Sequence, residues 1–253
     1  MKIDFSGKVV IVTGGASGIG RRVAEAFSES GAMVLSADIS NKNAGTSSQT
    51  WKGISNARLD VRNDAACNAL VANVIAAAGH IDFLVNCAGI AERIRTTANQ
   101  DTAHWEEIID INLGGTYRMS KAVASAMSKN GTKGAIVNVG SLMGLRGFRA
   151  ANGYGVSKSA VIMLTQTMAI DLAPQGIRVN AVAPGFISTP MIEFIETAER
   201  PSKQNYLQRI PMNRFGLADE VAQPILMLCS DLASYITGVV VPIDGGWAAF
   251  GGV

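Results

Sequence analysis

The sequence is poor in histidine and cysteine, and this shortage argues against several kinds of active site. Only two histidines, His80 and His104, are present, so a histidine-rich metal centre or a Ser-His-Asp triad has little material. The three cysteines, Cys67, Cys87 and Cys229, form no C-x-x-C pair and leave an odd count. We therefore expect no metal site, reduced and mostly buried thiols, and a cytoplasmic location.

Long apolar runs and clusters of one charge are missing as well. No stretch reaches the roughly 18 apolar residues that a membrane span needs. The N-terminal sequence MKIDFSGK lacks the apolar region of a signal peptide. The 22 basic residues nearly balance the 20 acidic ones, which gives a formal charge of +2 without a basic cluster. Binding to membranes or to nucleic acids is therefore not expected.

The sequence does contain a regular alternation of short apolar runs and helical patterns. The runs predict strands at residues 8–13, 33–38, 57–61, 81–86, 135–140, 177–182 and 239–244. The helical patterns cover residues 19–30, 64–78, 101–129, 154–173 and 218–231. Several runs are continuous and β-branched, as in parallel strands that are covered on both faces. The 253 residues, 48% of them hydrophobic, therefore predict a single α/β domain (1–253) with a doubly wound parallel sheet and helices on both faces.

A glycine-rich stretch, TGGASGIG (13–20), joins the first predicted strand to the first predicted helix. Its Gly14, Gly18 and Gly20 follow the spacing G-x-x-x-G-x-G. Glycines at such a turn let the backbone approach a diphosphate, and the free N–H groups of the following helix attract that anion. Because the strand and the helix are both present, the stretch predicts a dinucleotide site.

Asp38 ends the second predicted strand. A carboxylate at that position can accept hydrogen bonds from both hydroxyls of the adenosine ribose, and it repels a 2′-phosphate. Neither Ala37 nor Ile39 supplies a compensating cation. The predicted cofactor is therefore NAD rather than NADP. The alternative is that Asp38 is a helix-capping residue, since the sequence SADIS could start a turn.

The stretch SLMGLRGFRAANGYGVSK (141–158) brings a hydroxyl, a phenol and an ammonium into one region. Tyr154 and Lys158 are four residues apart, so on a helix they share a face. A phenol titrates near ~10 in water, and a nearby positive charge favours the phenolate, which makes Tyr154 a usable acid or base. Ser141 can bond the same substrate oxygen. The alternative is a buried helix with a core tyrosine and a solvated lysine.

Taken in order, several motifs resemble those of the classical short-chain dehydrogenase/reductase family: the strand at 8–13, TGGASGIG, Asp38, NCAG (86–89), Ser141 and YGVSK (154–158). The resemblance extends from Lys8 to Gly246, and the order and spacing are more specific than any single motif. It implies one Rossmann-type domain, usually assembled as a homotetramer. Such a protein moves hydride between a nicotinamide and a carbonyl or alcohol.

By this resemblance, Asn112 in DINLGG completes a catalytic tetrad with Ser141, Tyr154 and Lys158. Tyr154 would exchange the substrate proton, and Ser141 would orient the carbonyl oxygen. Lys158 would lower the pKa of Tyr154 and hold the nicotinamide ribose. Asn112 would support a water that relays protons to Lys158. Alternatively, Asn112 is a helix-breaking polar residue satisfied by backbone.

The resemblance also implies contacts with the cofactor along the strand ends. Asp60 and Val61 look like the pair that flanks adenine, whereas the NCAG segment, with Cys87 in place of the usual asparagine, would lie beside the adenosine ribose and diphosphate or merely build the strand end. The loop APGFISTP would bind the carboxamide and phosphate, although Thr189 is alternatively a helix N-cap. The predicted cofactor-binding residues are Gly14, Ser17, Gly18, Ile19, Gly20, Asp38, Asp60, Val61, Asn86, Ala88, Gly89, Tyr154, Lys158, Pro184, Gly185, Ile187 and Thr189.

Residues 186–216 match no strand of the predicted sheet, and a long segment at such a place is more often a functional lid than slack. Met191, Ile192, Phe194 and Ile195 predict a short amphipathic helix that closes over the substrate. The predicted substrate contacts are Ser141, Leu142, Met143, Phe186 and Met191, with Trp247 as a further candidate. This largely apolar pocket favours a medium-sized ketone or secondary alcohol, while Arg146 and Arg149 leave an acidic substrate open.

Three functions are compatible with these motifs. An NAD-dependent alcohol dehydrogenase or ketone reductase acting on a small molecule is favoured, because every catalytic position is filled. A 3-oxoacyl-thioester reductase of the same family commonly uses NADPH and a basic surface for its acyl-carrier partner, and Asp38 and the small net charge argue against both. A non-catalytic protein that senses the cofactor is the third.

The predicted helix at 154–173 carries apolar residues around most of its circumference. A helix that is apolar on two faces is usually buried on two faces. Since this helix must lie on the outside of the sheet, we expect its second face to meet another copy of the chain.

Overall fold

The structure is a computed structural model that describes residues 3–41, 53–93, 95–190 and 203–250. The predicted amphipathic helix of the lid, with Met191, Ile192, Phe194 and Ile195, lies outside these described residues. In the part of the chain that is described, no helix is long and apolar enough to cross a membrane.

Seven parallel strands form one sheet within the described residues, in the order β3-β2-β1-β4-β5-β6-β7. Their bounds are β1 (Val9–Thr13), β2 (Met33–Asp38), β3 (Ile54–Arg58), β4 (Phe83–Asn86), β5 (Ala135–Val139), β6 (Arg178–Pro184) and β7 (Val240–Ile243). The strand order reverses between β1 and β4, and ligands of such sheets bind at this switch point, beyond the carboxyl ends of the strands. The predicted doubly wound α/β fold is confirmed.

The helices are α1 (Gly18–Glu29), α2 (Asp64–Ala78), α3 (Thr102–Ile109), α4 (Thr116–Asn130), α5 (Asn152–Leu172), α6 (Lys203–Leu207) and α7 (Ala218–Cys229). Alternate residues of β1 point to opposite faces of the sheet. Val10 and Val12 pack in one core cluster with α1 and α7, whereas Val9 and Ile11 pack in a second cluster with α2, α4 and α5. The sheet is therefore covered on both faces, which explains why its central strands are continuously apolar.

The third strand lies earlier in the chain than predicted. The sequence placed it at residues 57–61, but β3 runs from Ile54 to Arg58 and pairs with β2 over its whole length. Leu59 and Val61 are buried beyond the end of the strand. Their apolar character reflects packing of the turn after β3, which a search for apolar runs cannot distinguish from a strand.

The helix predicted at residues 101–129 is interrupted. Helices α3 and α4 are separated by a π-helical turn at Asp110–Gly115. Gly115 has no room for a side chain, because an added Cβ would collide with Val61. Turns of this kind inside a helix frequently occur at functional sites, and this one contains Asn112.

Candidate active site

The carboxyl ends of the central strands surround a cavity of about 200 Å³. Of the residues predicted to act in catalysis or binding, those that line it are Ile19, Gly89, Ser141, Leu142, Met143, Tyr154, Lys158, Pro184, Gly185, Phe186, Ile187 and Thr189. The fold therefore brings together, from distant parts of the chain, the groups that the sequence marked for substrate and nicotinamide binding.

Ser141 is positioned by the end of β5. Its backbone is extended, and its hydroxyl caps the following turn by accepting a hydrogen bond from the backbone nitrogen of Met143 at 3.1 Å. The side chain is 8% exposed and lies beside the phenol of Tyr154, close enough to lower the pKa of that phenol by hydrogen bonding. The hydroxyl is therefore held at the cavity wall, next to the phenol with which it is expected to share a substrate oxygen.

Tyr154 and Lys158 lie on the first two turns of α5. The Lys158 Nζ is 5.7 Å from the centre of the Tyr154 ring and donates a 2.8 Å hydrogen bond to the backbone oxygen of Val139, at the end of β5. Lys158 is only 5% exposed, so it is not the solvated lysine of the alternative interpretation. The phenol likewise lies on the cavity wall rather than in the apolar core.

Burial dominates the ionisation of both groups. It raises the pKa of the Tyr154 phenol, and the hydrogen bond with Ser141 opposes that shift. Burial also lowers the pKa of Lys158 to about 8, opposed by the nearby thiol of Cys87. Desolvation acts against the charged form of each group, so burial opposes the effect expected of Lys158 on the pKa of Tyr154, and that effect stays a prediction.

Asn112 is completely buried in the π-helical turn. Its Oδ1 accepts a 2.8 Å hydrogen bond from the backbone nitrogen of Ile90, and its Nδ2 donates to the backbone oxygen of Ile90 and to Ser157 Oγ, both at 3.1 Å. The side chain therefore joins the turn to α5 and to the loop after β4. In this arrangement Asn112 holds the two segments that carry Gly89 and Tyr154, and the predicted water relay stays a prediction.

The glycine-rich loop has the geometry of an anion cradle. The N-cap of α1, Ser17, makes no capping hydrogen bond through its side chain, and the first turn contains no acidic residue. Gly14 has a φ of +66°, and a Cβ there would lie 2.8 Å from the backbone of Ala88. A Cβ at Gly20 would collide with the carbonyl oxygen of Gly14. The free amides, the positive end of α1 and the bare backbone fit the diphosphate of a dinucleotide.

Asp38 lies at the end of β2, beside this loop. Its Oδ2 accepts a 3.2 Å hydrogen bond from the backbone nitrogen of Ala16, and its Oδ1 accepts bonds from the backbone nitrogen and hydroxyl of Ser40. The turn-capping role suggested as an alternative is therefore present. Each carboxylate oxygen can accept more than one hydrogen bond, so the same group retains capacity for ribose hydroxyls.

The residues predicted to flank the adenosine differ in their surroundings. The carboxylate of Asp60 forms an ion pair with Arg62 at 2.7 Å, and this hydrogen bond lowers the pKa of Asp60. Val61 is buried against Gly115. The Nδ2 of Asn86 donates to Ser120 and Asn138, inside the protein. This network favours the alternative interpretation of Asn86, that it builds the end of β4.

Thr189 and Gly185 lie in the loop that follows β6. The hydroxyl of Thr189 donates to the backbone oxygen of Ile187 at 3.3 Å. An added Cβ at Gly185 would lie 2.8 Å from Asp244, so glycine is required for the close approach to the chain after β7. The residues after Pro190, which include the helix that Thr189 was alternatively predicted to cap, lie outside the described part of the chain.

The far wall of the cavity is aromatic. Leu142, Phe186 and Trp247 form one buried cluster, and Phe148 stacks on Trp247 with 4.8 Å between ring centres. Tyr206 packs on Phe186 at 4.6 Å. Sequence reasoning missed Phe148, Tyr206 and Glu92, which also line the cavity. None of the three belongs to a motif of the family resemblance, so only the fold reveals them. Arg149, which was considered for an acidic substrate, lines the cavity as well.

Comparison with known proteins agrees with this geometry. Residues 14–248 match the family described as enoyl-(acyl carrier protein) reductase. The chain is 41% identical to the 3-oxoacyl-(acyl-carrier-protein) reductase of Thermotoga maritima over 246 residues, covering 96% of this chain and 98% of that protein. It is 39% identical to the 2,5-dichloro-2,5-cyclohexadiene-1,4-diol dehydrogenase of Sphingobium indicum over 249 residues, covering 97% and 99%. The crystal structure of levodione reductase has a TM-score of 0.89 at 33% identity, covering 97% of this chain and 99% of that one.

Proposed function

The chain belongs to the classical short-chain dehydrogenase/reductase family of oxidoreductases, and on that premise we propose that it interconverts a secondary alcohol and a ketone with NAD(H). The observation that carries this proposal is the meeting of Ser141, Tyr154 and Lys158 in one cavity, at the sheet edge that also bears the uncapped N-terminus of α1. When bound, the nicotinamide supplies or accepts the hydride.

The residues of the chain handle the proton and the geometry. Tyr154 gives its proton to the substrate oxygen in reduction and takes it back in oxidation. The hydroxyl of Ser141, which lines the same cavity as the phenol, orients that oxygen. The ammonium of Lys158 stabilises the phenolate as it forms, and Asn112 fixes the loop and helix that hold these groups. Holding the reactants together in one cleft can lower the activation barrier by on the order of 7–11 kcal/mol.

The choice of NAD over NADP rests on Asp38. Its carboxylate accepts a hydrogen bond from Ala16 in the glycine loop, and from there it would accept bonds from the ribose hydroxyls and repel a 2′-phosphate. Arg58 argues in the other direction, because it is the exposed register partner of Asp38 on β3 and was not considered from the sequence. We propose that Asp38 prevails because it is bonded directly to the glycine loop.

The substrate is proposed to be a medium-sized, largely apolar ketone or secondary alcohol. The aromatic and aliphatic wall formed by Leu142, Met143, Phe148 and Phe186 supports this class. The 186–216 segment is proposed to close over the substrate, because Phe186, Ile187 and Tyr206 from its described ends already line the cavity. Closure of such a segment would exclude water during the transfer of hydride.

A 3-oxoacyl-thioester reductase is the second candidate. It is supported by the 41% identity to the Thermotoga maritima reductase, with the match covering 98% of that protein. The reacting group is also a ketone, so the roles of Ser141 and Tyr154 would be the same. The difference would lie in the coenzyme and in an acyl-carrier partner, for which the net charge of +2 offers little attraction.

The experiment that tests the proposal follows absorbance of the reduced coenzyme with a panel of ketones, keto acids and 3-oxoacyl thioesters. We expect turnover of apolar ketones and a higher kcat/KM with NADH than with NADPH. Asp38→Ala should lose that preference, whereas Arg58→Ala serves as the matched control and should lower only the use of NADPH.

Equal kcat/KM for the two coenzymes would reject the NAD assignment. Turnover of the thioesters alone would establish the second candidate, and binding of coenzyme without any turnover would indicate a sensing protein.

A further inference from the structure

The first turn of α5, which carries Tyr154, has no cap of its own. The N-cap residue is Ala151, whose side chain cannot accept a hydrogen bond. The first amides of a helix lack partners within the helix and need an acceptor from elsewhere. The group that supplies this acceptor therefore helps to hold the first turn of α5, and with it the phenol of Tyr154, in place.

Glu92 supplies the acceptor from a distant part of the chain. Its Oε1 accepts a 3.1 Å hydrogen bond from the backbone nitrogen of Gly153, and its Oε2 accepts a 2.9 Å bond from that of Tyr154. The two carboxylate oxygens therefore accept hydrogen bonds from two consecutive backbone amides in the first turn of α5. The side chain is 7% exposed, and no lysine or arginine of the described residues forms an ion pair with it.

The surroundings leave this carboxylate little freedom. A Cβ on Gly153 would lie 2.8 Å from the Trp105 ring and 3.3 Å from Glu92 Oε1. The ring and the carboxylate therefore pack directly against the backbone of Gly153. The preceding Ala150 has a φ of +58°, an uncommon conformation for a residue with a side chain. A buried carboxylate is costly unless it is hydrogen-bonded, and here the two amides and the positive end of α5 provide that stabilisation.

The loop that carries Glu92 is itself fixed to the other side of the site. Two residues earlier, Ile90 is bonded through both backbone groups to Asn112, and Gly89 lines the cavity. Asn112 also donates to Ser157, whose hydroxyl donates to the backbone oxygen of Tyr154 at 2.7 Å. The backbone of Tyr154 is thus held at its nitrogen by Glu92 and at its oxygen through Ser157.

We infer that Glu92 is a positioning residue for the reaction: its carboxylate fixes the first turn of α5 and so places the phenol of Tyr154 against Ser141 and the substrate oxygen. This inference rests on the proposed role of Tyr154. Glu92 acts through the helix backbone and does not exchange the proton itself. Since a displacement of about 1 Å at a reacting group can cost on the order of 10²-fold in rate, the loss of this clamp should appear in kcat.

The test compares Glu92→Ala and Glu92→Gln with a matched buried carboxylate. Glu92→Ala should lower kcat on the order of 10²-fold while leaving the Kd for NADH unchanged, because the coenzyme cradle is not touched. Glu92→Gln retains one acceptor oxygen and should fall between Glu92→Ala and the wild type. The control is Asp82→Asn, because Asp82 is 5% exposed and accepts a 2.8 Å bond from the backbone nitrogen of Val9, far from the cavity. It should lower the unfolding temperature without changing kcat.

Hydrogen exchange of peptides that cover residues 148–158 separates this inference from the proposed function. Exchange in Glu92→Ala should accelerate in this segment and remain unchanged in Asp82→Asn, even if no substrate in the panel is turned over. Unaltered exchange, or a folded Glu92→Ala enzyme with wild-type kcat, would overturn the inference. An equal loss of kcat in Glu92→Ala and Asp82→Asn would also overturn it, since the effect would then be one of stability alone.

Discussion

In the proposed reaction the phenol of Tyr154 must lose and regain a proton, and its surroundings oppose the charged form. Burial raises its pKa, while the hydrogen bond with Ser141 works in the opposite direction. A group of this kind is best suited to donate its proton to an oxygen that is becoming negative. The structure therefore favours Tyr154 as the acid in ketone reduction, and oxidation of an alcohol should require a higher pH.

Replacing Tyr154 with phenylalanine removes the acid and keeps the ring. We expect Tyr154→Phe to lose about 10²–10⁴-fold in kcat, the usual contribution of a positioned acid, with an unchanged Kd for NADH in a fluorescence titration. Tyr235→Phe is the control, because Tyr235 is fully exposed. A Tyr154→Phe enzyme that kept more than about a tenth of the wild-type kcat would contradict the assignment.

Lys158 should reduce the stability of the fold at neutral pH. Burial lowers its pKa from the ordinary lysine value of 10.5 to about 8 in the folded protein. Between pH 8 and pH 10.5 the unfolded chain therefore binds one proton that the folded protein does not, and the free energy of unfolding rises with pH. Below pH 8 the folded protein must bury the charged ammonium, and that cost is fully present. It is relieved as the pH rises through 8 towards 10.5.

Lys158→Met should therefore raise the free energy of unfolding at pH 7 by about 1–3 kcal/mol, since each pKa unit corresponds to about 1.4 kcal/mol and the bond to Val139 is lost. Thermal unfolding without coenzyme measures this difference, which should shrink between pH 8 and pH 10.5. Turnover should be abolished. A variant that is less stable than the wild type at pH 7 would show that the ammonium is not a burden to the fold.

Residue spacing was sufficient to place Tyr154 and Lys158 on one side of a helix, because residues four apart share a helical face, and Ser141 was linked to them by the order of the motifs. It was not sufficient for Glu92, whose partners Gly153 and Tyr154 are 61 and 62 residues away in sequence. It also overlooked Arg58, which meets Asp38 only through the pairing of β2 with β3. Contacts that depend on the topology of the sheet leave no local pattern.

At the scale of the elements, the central strands were predictable because they are covered on both faces. β1, β4 and β5 are buried along their whole lengths, and their continuous apolar runs matched the structure closely. The edge strand β3 alternates in exposure and contains Ser55 and Asn56, so its sequence resembles a loop. The predicted strand was placed too late in the chain because it included Leu59 and Val61, which are apolar and buried in the turn after β3.

The interruption between α3 and α4 was not visible in the helical pattern. Helical periodicity continues through Asp110–Gly115, because a π-helical turn adds only a local widening and the chain resumes as α4. The two consecutive glycines, Gly114 and Gly115, were the one local sign. Their lack of side chains makes room for Arg118 and Val61, and this arrangement buries Asn112 at the site.

At the scale of the whole molecule, α5 has a second apolar side that the described chain does not cover. Val156, Met163 and Ile170 are seven residues apart and are 50%, 59% and 75% exposed. Residues at this spacing lie on nearly the same side of a helix. An apolar depression of about 490 Å³, lined by residues such as Trp105, Tyr117 and Leu164, lies among α3, α4 and α5.

Contiguous exposed apolar surface of this kind marks interaction sites. The homotetramer that the family resemblance implies would cover it with the same surface of a second copy, since a two-fold interface is self-complementary. The opposite side of α5 carries Lys158 and Val161 against the sheet. Burying both sides would hold the helix that carries Tyr154 from two directions, so assembly and catalysis would be coupled.

We expect the wild-type protein to have four times the 26.5 kDa mass of the chain in light scattering. Ile170→Glu places a charge within the proposed interface and should yield a smaller species, because an unpaired buried charge is strongly unfavourable. Ile170→Val retains the apolar surface at the same position and should keep the wild-type mass. Since Ile170 is exposed in the single chain, circular dichroism should show both variants folded. If Ile170→Glu kept the full mass, the stripe on α5 would not be the interface, and a wild-type protein with the mass of one chain would exclude the assembly altogether.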